Sequence, residues 1–366
     1  MHRRDFLKDS LYASALALAA RPVLLAGTRP KSILVLGGTD FLGPAFVESA
    51  LADGHTVTLF NRGVTNPELF PNVEKLRGFR SANLTDQNLS ALGQRHWDAV
   101  IDVWPHDPTM IASSAELLKD RTQHYLYVSS ISAYDEKELA RPNTTEDATL
   151  ASWTGDASEY SRGKAESERR LRAILGDKLT IVRPGPIKGS RDDTPDLLIW
   201  LRRLRNGQPH IAPGDGTNYV EIVDVKDVAD FLVLAIDRSL HGTFNLTGRP
   251  ILFREFLNTC KSATHSDAEL IWIPETFLHQ QGIAPQPGVS NWFLNFPFWH
   301  PEPDRLGFAQ ISSQKAFQAG WETRPLRDTA LDYLMSFASL NNYDFRDPLP
   351  AETEEKTLEL WQSRPH

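Results

Sequence analysis

Residues 31–54, KSILVLGGTDFLGPAFVESALADG, decide the fold. Residues 31–38 form a short apolar run that ends in two glycines, which is typical of a strand buried on both faces. Residues 41–53 then place apolar side chains at helical spacing, and Gly54 is suited to end that helix. A buried strand, a glycine-rich turn and a helix in this order predict the start of a parallel α/β sheet.

The same alternation of apolar strands and helical patterns continues along the chain. Further strands are predicted at 55–61, 73–78, 97–103, 124–130 and 178–184. Residues 218–225 predict one more strand, and residues 228–237 predict a helix packed on the sheet. The predicted fold class is therefore α/β, a doubly wound parallel (Rossmann) sheet with a smaller, mixed C-terminal domain.

Changes in composition divide the chain into four parts. The stretch NWFLNFPFWHPEP at 291–303 is rich in proline and aromatic residues and indicates a smaller domain beside the sheet. The parts are a leader at 1–30, a Rossmann domain at 31–190 plus about 218–248, a substrate domain at about 191–217 plus 249–345, and a loosely packed polar tail at 346–366.

The bulk properties exclude several classes of protein. The net charge of -8 argues against a general binder of nucleic acids or membrane surfaces. Arg21 and Pro22 interrupt the one apolar run that approaches a membrane span. Cys260 is the single cysteine, so no intrachain disulfide can form, and no cluster of His, Asp and Glu has metal-ligand spacing. We therefore expect no stable membrane span and no metal.

The turn GGTDFLG has the composition of a phosphate-binding loop. Glycine at 37, 38 and 43 lets the backbone approach a pyrophosphate, which the following helix holds through its free amides and its dipole. Thr39, Phe41 and Leu42 belong to the same predicted cofactor site. Asp40 stands where a middle glycine is usual, and we expect its carboxylate to point away from the phosphates or to cap the helix.

The end of the second strand bears on the kind of dinucleotide. An acidic residue there usually binds the adenine ribose hydroxyls, whereas this chain has Asn61 and Arg62. Arg62 favours the 2′-phosphate of NADP, and Asn61 favours the unphosphorylated ribose of NAD. The sequence predicts NAD or NADP and leaves the choice open.

Tyr160 and Lys164 form the candidate proton-transfer pair. They lie four residues apart in a strongly helical stretch at 159–175, which puts both side chains on one face. A lysine ammonium favours the tyrosinate and lowers the pKa of the phenol, so Tyr160 can serve as a general acid or base near neutral pH. Ser129, Ser130 and Ser132 follow a predicted strand at the sheet edge where ligands bind. A serine hydroxyl at that edge can bind the oxygen that Tyr160 protonates.

Several stretches together resemble the extended, atypical short-chain dehydrogenase/reductases of the NAD-dependent epimerase/dehydratase family. They are the glycine loop, LFNRG, the Ser130 and Tyr160-x-x-x-Lys164 set, RPGPIKG at 183–189, YVEIVDVKDVADF at 219–231 and GTFNLTG at 242–248. The resemblance covers roughly residues 32–340.

The family resemblance implies roles for individual residues. Tyr160 is the acid/base, Lys164 activates it and anchors the nicotinamide ribose, and Ser130 polarises the reacting oxygen. Ser130 matches better than Ser129 because it lies four residues before Tyr134. Pro184 is placed at the cofactor, and Ser132 assists. Two positions depart from the family pattern: Phe79 replaces an acidic residue near the adenine, and Pro186 replaces an asparagine that nucleotide-sugar epimerases use for substrate.

Three further groups are weaker candidates. His106 and Asp107 lie where the family contacts the cofactor, and they either shape the pocket or take part in catalysis. Aromatic residues of the smaller domain form either a platform for a sugar ring or part of its core, namely Trp292, Phe296, Trp299 and His300. A basic helix segment either holds an anionic substrate group or is simply solvated, namely Arg202, Arg203 and Arg205.

The leader MHRRDFLKDS resembles a twin-arginine export signal, with Arg3 and Arg4 ahead of a weakly apolar run. Cleavage is expected after residues 17–19 or near Ala26. This route carries folded proteins, so a cofactor can be loaded inside the cell and exported with the chain to the periplasm.

These observations predict an enzyme of carbohydrates. An exported enzyme has no free nicotinamide pool to draw on, which favours an epimerase or dehydratase that reoxidises its own tightly bound cofactor. The location also favours a free or glycosidic carbohydrate over a nucleotide sugar. The alternatives are an NADP-dependent reductase of a small carbonyl compound in the cytoplasm and a non-catalytic, RNA-associated family member. The expected partners are a small-molecule substrate and the export machinery, with no nucleic acid, and a homodimer is one possible assembly.

Overall fold

The computed structural model describes residues 29–83, 85, 87–103, 107–156, 158–284, 295–300, 307–339 and 347–364. The leader at 1–28, His106 and Trp292 lie outside the described residues, so what the sequence predicts for them stays a prediction.

The strands of the described chain follow the apolar runs closely. In chain order they are β1 Ser32–Leu36, β2 Thr56–Asn61, β3 Glu74–Arg77, β4 Trp97–Asp102, β5 Thr122–Val128, β6 Leu179–Pro184, β7 Ile187–Lys188, β8 His210–Pro213, β9 Tyr219–Val220, β10 Val223–Asp224, β11 Gly242–Leu246, β12 Ile251–Leu252 and β13 Leu270–Ile273.

The α-helices of the described chain fall between the strands and then dominate the C-terminal third. In chain order they are α1 Leu42–Ala52, α2 Pro108–Leu118, α3 Glu136–Leu139, α4 Tyr160–Leu175, α5 Asp196–Arg205, α6 Val225–Asp237, α7 Phe253–Ala263, α8 Glu275–Gln280, α9 Gln314–Gln318, α10 Leu326–Ser339 and α11 Ala351–Gln362. Among the described helices, none combines the length and the apolar composition that a membrane crossing requires.

The central sheet of the described chain has seven parallel strands in the order β11-β6-β5-β4-β1-β2-β3, which confirms the predicted doubly wound sheet. The order reverses at β1, whose last residue Leu36 pairs with Phe60 of β2 and Asp102 of β4. The carboxyl ends of these three strands are therefore level. Ligands of such sheets bind at this switch point.

Helices cover both faces of the sheet. On one face α1 packs against α6, and Phe46 and Phe231 from these helices are fully buried there. On the other face α2 and α4 pack together through Ile111 and Leu171, which are also fully buried. The predicted helix at 228–237 is thus confirmed as part of α6. The packing fixes α4 so that its first residue, Tyr160, lies at the carboxyl edge of the sheet.

A separate hydrophobic cluster lies in the C-terminal part of the described chain. Its largest buried side chains are Trp200 of α5, Phe253 and Phe256 of α7, and Tyr333 of α10. Burial of aromatic rings of this size contributes about 1.5–3 kcal/mol each. The C-terminal part of the described chain therefore has a hydrophobic cluster of its own, while the predicted division into domains stays a prediction.

Two sequence predictions need correction. Residues 218–225 do not form one strand, because β9 and β10 are short and pair with different partners, β12 and β7. The tail was expected to be a loosely packed extension, but its described residues, 347–364, are packed against the rest of the chain. Helix α11 contributes Leu358 and Trp361 to the C-terminal cluster, and Phe277 packs edge-on against Trp361.

Hydrogen bonds and ion pairs also hold the tail against the rest of the described chain. The Glu354 carboxylate accepts a hydrogen bond from the Ile211 amide at 2.9 Å and pairs with His210 Nδ1 at 3.0 Å. Both oxygens of Asp347 accept hydrogen bonds from Nε and Nη2 on one edge of the Arg203 guanidinium. The polar composition of the tail hides these contacts, because their partners lie about 140 residues earlier in the chain.

Candidate active site

A cleft of about 810 Å³ opens at the switch point of the sheet. The residues that the sequence assigns to the cofactor and to catalysis all line it: Gly37, Gly38, Thr39, Phe41, Leu42, Gly43, Asn61, Arg62, Ser130, Tyr160, Lys164 and Pro184. They come from the ends of β1, β2, β5 and β6 and from the start of α4. The fold therefore brings the whole predicted set into one cavity, while the role of each residue stays a prediction.

The glycine loop is too crowded for side chains. A Cβ atom at Gly43 would lie 2.4 Å from the Cα of Gly38, so the loop and the start of α1 touch backbone to backbone. Gly37 and Gly38 have φ of 118° and 95°, which side chains rarely adopt. A Cβ atom at Gly38 would meet the Leu59 side chain at 2.7 Å. That direction leads into the core rather than into the cleft.

Asp40 neither caps the helix nor is buried. It is exposed and lines the cleft, and α1 has no side-chain cap at its N-terminus. The amides at the start of α1 thus keep the free hydrogen-bonding capacity that an anion needs. The prediction that Asp40 caps the helix is wrong.

Asn61 braces the glycine loop. Its Nδ2 donates to the carbonyl of Gly37 at 3.1 Å, and its Oδ1 accepts from the amide of Gly63 at 3.0 Å and from Arg77. Asn66 supports the same loop by donating to the carbonyl of Thr39 at 2.8 Å. The loop is therefore held from the last residue of β2 and from the residues after it, a role for Asn61 that the sequence did not indicate.

The proton-transfer residues meet at the middle of the cleft. Tyr160 is 43% exposed at the first position of α4, and Ser130 is the second residue after β5. Ser130 is the hydrogen-bonding neighbour that acts to lower the pKa of the Tyr160 phenol, and the roles of both residues stay predictions. Ser129 points elsewhere, because its hydroxyl is buried and donates to Glu168 at 2.6 Å. The choice of Ser130 over Ser129 therefore agrees with the geometry.

Lys164 is buried behind the phenol. Its Nζ donates to the carbonyl of Val128 at 2.6 Å and lies 5.7 Å from the ring centroid of Tyr160. Burial lowers the pKa of Lys164 to about 7, against the opposing pull of Asp102 and Glu168. Burial likewise raises the pKa of Tyr160, although its hydrogen bond with Ser130 acts in the other direction.

The expected lowering of the phenol pKa by Lys164 is therefore wrong for this structure. The physical reason is that burial suppresses the lysine charge on which the effect depends. Tyr160 therefore keeps its proton near neutral pH in this structure, and its role as acid and as base in turn stays a prediction.

Two buried ion pairs stand behind the reacting groups. The Arg183 guanidinium binds both oxygens of Glu168, at 2.9 and 2.6 Å, and Glu168 lies one helical turn after Lys164. Arg80 binds both oxygens of Asp102 in the same way, at 2.7 and 3.0 Å. Bidentate pairs of this kind hold a fixed geometry. The spacing of Lys164 and Glu168 on one helix was a usable signal for the first pair, whereas no local pattern marks the second.

A smaller cavity of about 190 Å³ shares Ser130 and Gly185 with the main cleft. Its walls are largely apolar and come from Ile131, Pro186, Pro297, Phe298 and Phe308, with Ser132, Asp196 and His300 as polar groups. This cavity is the candidate substrate end of the site. Its residues come from three distant segments, and the sequence pointed to four of them, Ser130, Ser132, Pro186 and His300.

The predicted aromatic platform is only partly present. Phe296 and Trp299 are 1% and 3% exposed and belong to the C-terminal hydrophobic cluster, so the core interpretation holds for them. His300 does reach the smaller cavity. The basic segment of α5 does not line either cavity, since Arg203 is buried against Asp347. Asp107 caps α2 by accepting from the amides of Thr109 and Met110.

Lys188 is a residue of the cleft that sequence reasoning missed. Its ammonium contacts Asp196 and Thr194 at 2.6 Å and Asp192 at 3.1 Å. Lys188 and Asp192 are both 4% exposed, so this is a buried charge cluster. Asp193 lines the cleft beside it. The described residues contain no group of three or more His, Cys, Asp and Glu side chains arranged to hold a metal ion.

The sequence matches the model of the NAD-dependent epimerase/dehydratase family over residues 33–246. The chain belongs to this family. The match covers every residue of the candidate cofactor and proton-transfer sites. The predicted nicotinamide cofactor is thereby confirmed at the level of the family, which is NAD-dependent.

The chain is similar in sequence to proteins with different described functions. The chloroplast stem-loop binding protein of 41 kDa b from Arabidopsis thaliana is 27% identical over 70% of this chain, and the match spans 66% of that protein, just under two thirds. The N-acetyl-alpha-D-glucosaminyl-diphospho-ditrans,octacis-undecaprenol 4-epimerase of Escherichia coli O157:H7 is 22% identical over 60% of this chain and 68% of its own length.

A solved structure supports the fold. The UDP-glucuronic acid 4-epimerase of Bacillus cereus, in complex with NAD, superimposes with a TM-score of 0.59 at 16% identity, over 85% of this chain and 100% of that chain. At this identity the likeness bears on the fold alone.

Proposed function

We propose that this protein is an epimerase/dehydratase-type oxidoreductase that acts on a carbohydrate and keeps its nicotinamide dinucleotide bound through the whole reaction. The observation that carries the proposal is the placement of Ser130, Tyr160 and Lys164 in the same cleft as the glycine loop. A reaction at a carbinol carbon needs a proton moved at the attached oxygen, and these side chains supply the donor and its support.

The residues of the cleft suit a dinucleotide. The backbone contact between Gly43 and Gly38 leaves a loop without side chains at the uncapped start of α1, which fits a pyrophosphate. A bound nicotinamide supplies the capacity to accept a hydride and to return it. The chain's own residues then hold the substrate oxygen between the hydroxyls of Ser130 and Tyr160 and move the proton at that oxygen.

The substrate is a sugar without a diphosphate. Lys188 is a buried ammonium that lines the main cleft, and the carboxylates of Asp192 and Asp196 already compensate its charge. Asp196 also lines the smaller cavity. Asp193 adds a further negative charge at the cleft. A diphosphate would meet net negative charge among these residues, whereas the apolar walls of the smaller cavity suit the face of a sugar ring.

Export supports a recycled cofactor. The twin arginines Arg3 and Arg4 would send the folded protein, with its cofactor loaded, to a compartment without a nicotinamide pool. Replacement of both arginines by lysine should retain the protein in the cytoplasm, as cell fractionation measures. An unchanged distribution would contradict the proposed export and would leave the NADP-dependent cytoplasmic reductase as the better interpretation.

The test of the reaction uses the purified exported protein and a panel of free and glycosidic sugars. We expect a sugar that carries deuterium at the reacting carbon to be converted with retention of the deuterium and no net consumption of added dinucleotide, and the bound nicotinamide to be reduced only transiently. Release of one reduced dinucleotide into solution for each substrate molecule oxidised would contradict a recycled cofactor.

The stem-loop binding relative favours a second candidate, a non-catalytic RNA-associated protein. The arginines on the surface of α4 do not support it, because Arg162, Arg169 and Arg170 pair with Glu159 and Glu166 on the same helix. The net charge of -8 is also unfavourable. Salt-sensitive binding of an RNA hairpin by the purified chain, unaffected by Tyr160→Phe, would favour this candidate.

A further inference from the structure

The residues that follow β2 lie at the end of the cleft that would take the adenine ribose. Here the Asn61 carbonyl oxygen already accepts two hydrogen bonds, from Gly63 and from Arg77. An amide oxygen has two lone pairs, so it has no capacity left to accept from a ribose hydroxyl. A ribose of NAD needs a hydrogen-bond acceptor at this position, but the Asn61 side-chain oxygen is already occupied by the contacts that hold the loop.

The charge at this end is positive. Arg62 is exposed, lines the cleft, and has no hydrogen bond or ion pair with any residue in the described part of the chain. Among the cleft-lining residues at 61–65 and 78–80, no side chain is a carboxylate. The Arg80 guanidinium is buried and forms an ion pair with Asp102, which compensates its charge. Arg62 is thus an uncompensated guanidinium at the place where a ribose substituent would lie.

The neighbouring surface is flat and apolar. Phe79 is 41% exposed and lines the cleft where the family pattern carries an acidic residue near the adenine. Val64 is 71% exposed and also lines the cleft. A phenyl face can stack on a base, and arginine binds phosphate through parallel N–H groups. Neither feature repels an added phosphate, whereas a carboxylate at Phe79 or Asn61 would.

From these observations we propose that Arg62 binds the 2′-phosphate of NADP and that the protein prefers NADP to NAD. The inference rests on the proposed function, since it assumes a dinucleotide in this cleft, and it sets this chain apart from the NAD-bound neighbours of the fold. Arg62 contributes the phosphate contact, Phe79 contributes the stacking face, and Asn61 contributes no contact to the ribose.

The experiment compares the dinucleotides that the full-length protein binds. The wild-type chain and three variants, Arg62→Ala, Arg62→Lys and Arg95→Ala, are expressed in the same cells and purified. Acid denaturation releases the bound dinucleotide, and mass spectrometry gives the ratio of NADP to NAD. The same ratio is then measured as a ratio of Kd values by titration of protein freed of its cofactor.

We expect NADP to bind at least about tenfold more tightly than NAD to the wild type. Arg62→Ala should reduce this preference by about 10- to 100-fold, the usual effect of one charge-assisted contact, with NAD affinity changed by less than about threefold. Arg62→Lys should keep part of the preference, and Arg95→Ala, an exposed arginine paired with Glu74 outside the cleft, should keep all of it.

The inference is overturned if the wild type carries and prefers NAD, or if Arg62→Ala leaves the ratio unchanged. Either result leaves the proposed reaction intact, because a recycled NAD serves it equally well. A wild-type chain that binds neither dinucleotide would overturn both the inference and the proposed function.

Discussion

The cofactor end and the substrate end of the cleft are built in different ways. The glycine loop, β1 and α1 are consecutive in sequence, and residues 37–43 alone provide the backbone cradle. The smaller cavity instead combines residues 130–132, residues 185, 186 and 196, and residues 297, 298, 300 and 308. A site made of one local turn can be recognised from its residues, whereas a site assembled from distant segments depends on the packing that joins them.

The largest expected effect tests the point where the two ends meet. Tyr160→Phe removes the phenol hydroxyl and should reduce turnover by about 100- to 10,000-fold, while cofactor occupancy persists. Stability should change little, because Tyr160 is 43% exposed. Tyr219→Phe is the matched control, since Tyr219 is 41% exposed and lies outside both cavities. Near wild-type turnover in a folded Tyr160→Phe protein that binds cofactor would contradict the mechanism.

Gly38→Val tests how strictly the local turn defines the cofactor end. The added side chain would meet Leu59 and Val35 at a φ of 95°. We therefore expect loss of bound dinucleotide and a decrease of at least about 1–3 kcal/mol in the free energy of unfolding. The loss of stability is expected because a side chain at this position would point into the core.

Gly54→Val separates backbone strain from crowding. Gly54 has a φ of 84°, but a Cβ atom there meets nothing within 4 Å. This variant should lose stability and keep its dinucleotide, as denaturant unfolding and mass spectrometry would measure. If Gly38→Val and Gly54→Val retain the same occupancy, the loop is not the cofactor site.

Glu354→Gln tests the non-local end. The variant loses the charge that pairs with His210 and weakens the bond to the Ile211 amide. We expect the free energy of unfolding to fall by about 1–3 kcal/mol with cofactor occupancy unchanged. Glu355→Gln, on the exposed side of the same helix, should have no effect. Equal melting temperatures for the two variants would mean that α11 does not stabilise the C-terminal region.

A last prediction concerns the pH dependence of stability and Lys164. Its folded pKa of about 7 lies below the ordinary value near 10.5, so the unfolded chain binds the extra proton between these values. Stability should therefore rise with pH from about 7 to about 10, and Lys164→Met should remove that rise. The difference in unfolding free energy between wild type and variant, measured across this range, checks the sign. A difference that does not change with pH would mean that Lys164 is charged in the folded protein.

The sequence predicted most of the sheet and the cofactor end for a physical reason. Buried parallel strands are apolar runs, and a loop that needs bare backbone must be rich in glycine. Ser130, Tyr160 and Lys164 could be found because helical spacing and strand ends place them on one edge. The protonation states of Tyr160 and Lys164 could not be predicted, because they depend on how deeply Lys164 is buried.

The tail and the substrate end were beyond such reasoning. The sequence of helix α11 is mostly polar, so it gives no sign of a packed element. The contacts of Glu354 with His210 and of Asp347 with Arg203 form only in the folded chain. Phe296 and Trp299 are residue types that could stack on a sugar ring, but their side chains are buried in the C-terminal hydrophobic cluster. Lys188 is an ordinary lysine in sequence, and its importance follows from the carboxylates around it.

The central claim is that one cleft holds a nicotinamide dinucleotide that stays with the protein. The most direct measurement is to dialyse the purified exported chain extensively, denature it, and identify and quantify the released dinucleotide by mass spectrometry. The account predicts a stoichiometric nicotinamide dinucleotide in the wild type and almost none in Gly38→Val. A wild-type chain that carries no dinucleotide, and that binds neither NAD nor NADP when they are added, would contradict the account.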